Sequence, residues 1–132
     1  EKTLDLNELL IRNPISTFMG YVDSESMLDE HFLVGNLIAV DRSIDAQHYD
    51  IVLALIDNKD STLKRLMITS KMSKFEIEDI FGDANYPLPS VWLKAENAKN
   101  SDYKNIIPAE DQTISVWGVV TANIQITHTR SQ

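Results

Sequence analysis

A mainly β, single-domain fold is what this sequence predicts. Its 132 residues match the commonest size of one domain. Short runs of β-branched and aromatic residues recur along it, separated by Gly, Pro, Asn and Asp turn signals, as in antiparallel sheets. No internal repeat and no Gly/Pro/Ser-rich linker divides the chain, so residues 1–132 read as one domain.

Asp5-Leu6-Asn7-Glu8-Leu9-Leu10-Ile11 predicts a short helix, capped by Asp5 with Glu8 in capping-box position. Asn13-Pro14 ends it. Ile15-Ser16-Thr17-Phe18-Met19-Gly20-Tyr21-Val22 reads as a strand. Asp23-Ser24-Glu25 is a polar break, and Ser26-Met27-Leu28 opens the next element. Val34-Gly35-Asn36 predicts a turn before the strand 37–41. Residues 42–50 form a polar connection that carries His48. The apolar strand 50–57, the turn Asn58-Lys59-Asp60 and the strand 62–69 predict a hairpin. Alternation in its second arm puts Thr62, Lys64, Leu66 and Ile68 on one face. Leu63, Arg65 and Met67 fall on the other, where Arg65 is expected to reach solvent. Residues 74–81 fit either a helix or an alternating strand. Pro87-Leu88-Pro89 marks a loop, 91–95 a strand, 96–102 a polar stretch, and 114–120 and 124–126 two closing strands.

Composition narrows the function classes. With no cysteine, disulfides and thiolate metal sites are excluded. His31, His48 and His128 lack metal-ligand spacing, and no cofactor or metal is expected. His48 reads as an exposed structural residue, Glu76, Glu78 and Asp79 as a solvated face, and Trp92 and Trp117 as core or interface. A net charge of −8 repels phosphate backbones, so no direct nucleic-acid binding is expected. No apolar run approaches the roughly 20 residues of a membrane-spanning helix, and no secretory signal pattern is present; no membrane association is expected. The first residue is Glu1 rather than Met, which reads as a processed product or a trimmed chain.

One pair of residues offers chemistry. Ser26 stands beside a polar break and Lys64 inside a strand, with apolar same-face neighbours Leu66 and Ile68. A serine hydroxyl needs a base to take its proton. A lysine can serve only when neutral, and apolar burial lowers its pKa toward that state. A separation of about 3 Å between Ser26 Oγ and Lys64 Nζ is the mark of an aligned pair. Taken alone, the residues fit a loop serine and a snorkelling surface lysine better than a dyad.

The motifs around this pair resemble the LexA/UmuD family of self-cleaving peptidases (the S24 group), and the UmuD subgroup most closely. They run in order from Leu4-Asp5-Leu6-Asn7-Glu8-Leu9-Leu10-Ile11 through Ser26-Met27 and Val34-Gly35-Asn36-Leu37-Ile38-Ala39-Val40-Asp41. His48-Tyr49-Asp50-Ile51-Val52, Thr62-Leu63-Lys64-Arg65-Leu66 and Val116-Trp117-Gly118-Val119-Val120 complete the set. The resemblance implies the family's C-terminal peptidase-like fold, with short, twisted antiparallel strands and a short N-terminal helical turn. It puts Ser26 on the nucleophile, Lys64 on the general base, and the backbone N–H groups of Glu25 and Ser26 on the oxyanion hole. Ser24-Glu25 replaces the usual Gly-Asp, and Asn36 replaces the second Asp of the turn. The segment 67–115 is longer than usual, with an atypical insertion around 73–90 that is expected to form an extra hairpin or a partner surface.

The family's scissile small-residue–Gly pair is missing, since the four glycines follow Met19, Val34, Phe81 and Trp117. The chain therefore resembles the processed UmuD′ form. That form implies a cytoplasmic bacterial protein of the SOS response to DNA damage. It would be a homodimer that joins a UmuC-type Y-family polymerase in translesion synthesis. Its parent would be cleaved with a RecA–single-stranded DNA filament as co-protease. The alternative is the dimerisation and autoproteolysis half of a LexA-like transcriptional repressor.

Overall fold

The structure, a computed structural model, describes residues 3–128. One six-stranded sheet organises them, with every pairing antiparallel and strand order β1-β2-β6-β3-β4-β5. The strands are β1 (Thr17–Tyr21), β2 (Leu37–Asp41), β3 (Ile51–Ile56), β4 (Asp60–Ile68), β5 (Val91–Lys94) and β6 (Ile114–Ile124). Two helices accompany them, α1 (Leu6–Leu10) and α2 (Lys74–Phe81), with single 3₁₀ turns at Leu28–Glu30 and Thr69–Lys71. The mainly β expectation, with its short N-terminal helix, holds.

Local chemistry explains most of the boundaries. Asp5 caps α1 by accepting from the Asn7 N–H at 2.9 Å. No return bond from Glu8 closes the capping box among the described residues. The predicted turn before β2 forms around Gly35, whose φ of +94° suits glycine. The β3–β4 hairpin turns one residue earlier than expected. Asp57 and Asn58 take positive φ, and the Lys59 N–H returns to the Ile56 carbonyl at 3.0 Å, because Asp and Asn tolerate the left-handed region best after glycine.

The ambiguous run 74–81 is helical. Ser73 caps α2 by accepting from the Glu76 N–H, and Gly82 ends it at φ +79°. The region 73–90 is therefore a capped helix and loop, not an extra hairpin. It packs inward as well, since Phe81 stacks on Tyr86 at 4.4 Å and meets Trp92 edge-on at 5.3 Å.

The two closing strands are one. β6 runs unbroken through 114–124, and Ile126 lies beyond it, exposed. Register shifts opposite Ala39/Val40 and Leu53/Ala54 let this long central strand pair on both sides.

Two apolar clusters form the core. Val22, Met27, Phe32, Ile38, Val40 and Leu63 make the first. Val52, Ala54, Leu66, Leu93 and Val119 make the second. Leu63 and Leu66 thus serve different clusters, as alternation along β4 requires. Trp92 is fully buried, while Trp117 is half-buried against Phe18 and under the Arg42 guanidinium.

Candidate active site

β5 pairs with β4 only from Arg65 to Ile68. The edge of β4 at Leu63 is left for another partner, and the turn carrying Ser26 takes it. The Ser26 hydroxyl donates to the Leu63 carbonyl at 2.9 Å. Fold topology therefore brings the serine to the strand that carries Lys64. Ser26 and Lys64 line one cavity of about 280 Å³ together with Tyr21, Ser24, Leu53 and Tyr103. A larger hollow of about 660 Å³ shares only Tyr103 with it.

Both groups are buried, Ser26 at 1% and Lys64 at 6% exposure. Register sets Lys64 opposite Val52 and Thr62 opposite Ala54, so the amine stem lies along an apolar strip. Burial holds the Lys64 pKa below its ordinary lysine value. The amine donates to Thr62 Oγ1 at 2.6 Å, on the face that alternation assigns to both residues.

No hydrogen bond joins Ser26 Oγ directly to Lys64 Nζ among the described residues. Each is engaged elsewhere, the serine with Leu63 and the lysine with Thr62. Ser24 Oγ stands 3.2 Å from Ser26 Oγ. Since Ser26 spends its single proton on Leu63, Ser24 is the donor of that contact. The carbonyls of Glu25 and Ser26 accept hydrogen bonds from Leu28 at 3.1 Å and Glu96 at 2.8 Å. The N–H groups of Glu25 and Ser26 donate to nothing among the described residues.

The neighbourhood departs from expectation at Arg65. Its side chain does not run free into solvent. It pairs with Glu96 and Glu30, each at 3.1 Å, and donates to the Tyr49 carbonyl at 2.8 Å. Burial pushes the Glu96 carboxyl up, but Lys94 and Arg65 outweigh it and leave the group below its usual range. His48 is half-buried rather than exposed. Its Nδ1 accepts the Ile68 N–H at 2.9 Å and so takes a structural place beside β4. Among the described residues no cluster of three or more His, Asp or Glu is arranged to hold a metal ion. No helix among them is long and apolar enough to cross a membrane.

Glu96 and Asn97 escape sequence reading. They sit in a polar run with no period and no motif, and only the closed fold shows what they touch.

The site thus joins a buried serine, hydrogen-bonded to the β4 backbone, and a buried lysine of that same strand around one cavity. Residues 1–78 match the family model described as Peptidase S24-like, and the chain belongs to that family. It is similar to Protein MucA of Salmonella typhimurium, 27% identical over 124 residues that cover 94% of this chain and 70% of that protein. Protein ImpA of the same organism is 38% identical over 79 residues, covering 60% of this chain and 54% of that protein. The LexA repressor of Koribacter versatilis is 45% identical over 49 residues, 37% of this chain and 23% of the repressor.

Proposed function

We propose that this domain is a serine endopeptidase of the self-cleaving kind, with Ser26 as nucleophile and Lys64 as general base, in a UmuD-like protein of the SOS response. One observation carries the reading: Ser26 and Lys64 line the same cavity, in a setting that depresses the lysine's pKa. In the first step Lys64 Nζ takes the Ser26 hydroxyl proton as Oγ attacks the scissile carbonyl carbon. The Glu25 and Ser26 N–H groups receive the developing oxyanion. Collapse breaks the C–N bond, and the Lys64 ammonium returns the proton to the leaving amine. Water then releases the acyl group from Ser26 by the same route.

To react, Ser26 must rotate off the Leu63 carbonyl and Lys64 off Thr62. The substrate is a small-residue–Gly bond on an arm outside these 132 residues. A RecA–DNA filament would favour the reactive arrangement without supplying reacting groups. The processed domain would dimerise and serve a UmuC-type polymerase in the bacterial cytoplasm. The similarity to MucA across 94% of the chain supports this reading. The match to a LexA repressor, shorter but at 45% identity, favours a second one, the dimerisation half of a repressor. A helix-turn-helix domain upstream would select the second, a short arm the first.

The test is self-cleavage of the full-length parent at alkaline pH, followed on gels. Ser26→Ala and Lys64→Ala are each expected to abolish it. Cleavage at the wild-type rate by either variant would sink the dyad.

A further inference from the structure

The turn that bears Ser26 is clamped by two consecutive residues beyond β5. Asn97, 8% exposed, donates from Nδ2 to the Glu25 carbonyl at 2.7 Å. The Glu96 N–H donates to the Ser26 carbonyl at 2.8 Å, and the Glu96 carbonyl accepts the Asp29 N–H at 2.8 Å. The Glu96 carboxylate meanwhile holds Arg65, the neighbour of Lys64 on β4. The same residues thus tie the serine turn to the lysine strand.

Peptide geometry gives the Asn97 contact a specific consequence. The Glu25 carbonyl and the Ser26 N–H belong to one planar trans unit and point in opposite directions. A bond that anchors the carbonyl also sets the direction of the N–H. The Ser26 N–H is otherwise free among the described residues, as a preorganised donor must be.

We infer that Asn97 is a positioning residue for the oxyanion hole: its amide fixes the 25–26 peptide so that the Ser26 N–H is aimed at the carbonyl oxygen of the cleaved bond. The inference rests on Ser26 being the nucleophile. Asn97 touches neither substrate nor the reacting atoms. It acts through the peptide that it holds, and Glu96 holds the next peptide in the same manner.

The experiment measures single-turnover self-cleavage of the full-length parent against pH for wild type, Asn97→Ala, Asn97→Asp and Ser26→Ala, with melting temperatures for each. Asp matches Asn in shape but turns the donor into a carboxylate facing a carbonyl. The expected result is a plateau rate about tenfold to a hundredfold lower in both Asn97 variants, less than the cost of deleting an oxyanion donor outright. The pH midpoint stays that of wild type, because Lys64 is untouched. The Ser26 amide resonance in a nitrogen–proton correlation spectrum shifts. Cleavage within about twofold of wild type by either Asn97 variant, with Ser26→Ala inactive, overturns the positioning role and leaves the dyad standing. A rate loss that only follows loss of folded protein, or that moves the pH midpoint, assigns Asn97 to general stability and also overturns it. Cleavage by Ser26→Ala removes the dyad and this inference together.

Discussion

At the residue scale, the decisive quantity is the charge on Lys64. Burial disfavours the ammonium and lowers its pKa. The folded state therefore binds this proton less readily than the unfolded chain does, and stability contributed at this site rises with pH. The cleavage rate is expected to rise with pH in the same window, as the neutral amine forms. Its midpoint should fall below 10.5, the ordinary lysine value. A rate profile measured from pH 6 to 11 checks this, and a midpoint at or above the ordinary value would separate the lysine from the rate-limiting proton transfer. Ser24 adds a second control. Its hydroxyl donates to Ser26 Oγ while Ser26 donates to Leu63, and it draws electron density away from that oxygen until the serine rotates.

At the element scale, β6 is the strand on which the sheet depends, because it separates β2 from β3 and pairs with both. Gly118 lies close against the end of β2. A Cβ there would lie 2.6 Å from Val40 Cγ1 and 3.2 Å from the Asp41 carbonyl. Val40 is buried in the first core cluster and cannot swing aside. Gly118→Ala is expected to destabilise the fold by about 1–3 kcal/mol, the usual cost of overpacking. A urea titration reads this as a lower midpoint at unchanged slope; an unchanged midpoint would mean that the strands separate freely. The hairpin of β3 and β4 was legible from its apolar runs and polar turn. Its turn was misplaced by one residue because Asp57 and Asn58 both adopt the left-handed region, and Asp-Asn is a weaker signal than Asn-Gly. Helix α2 stayed ambiguous because its apolar residues Phe75, Ile77, Ile80 and Phe81 fit neither period cleanly. The Ser73 cap and the Gly82 stop were the readable signs of a helix.

At the scale of the whole molecule, Asp41 ties the N-terminal segment to the sheet. It accepts from Asn13 at 2.8 Å, Ser16 at 3.0 Å and the Ser43 N–H at 2.8 Å. The Asn13 bond first, then those from Ser43, hold its pKa at about 2, below the ordinary 3.8. A lowered carboxyl contributes stability above its ordinary pKa and loses it as pH falls toward the folded value, here between about 4 and 2. Asn13→Ala should flatten the fall of melting temperature across that window. Identical slopes for variant and wild type, followed by circular dichroism, would rule out the tether. The sequence by itself determined the mainly β class, most strand positions and the Ser26 and Lys64 candidates. Those rest on local periodicity and on motifs that survive as strings. Only the tertiary structure decided that Arg65 is held in ion pairs, that β6 is one strand, and that Glu96 and Asn97 clamp the serine turn. Each of these depends on which distant backbone closes against which, and no local pattern of side chains encodes that contact.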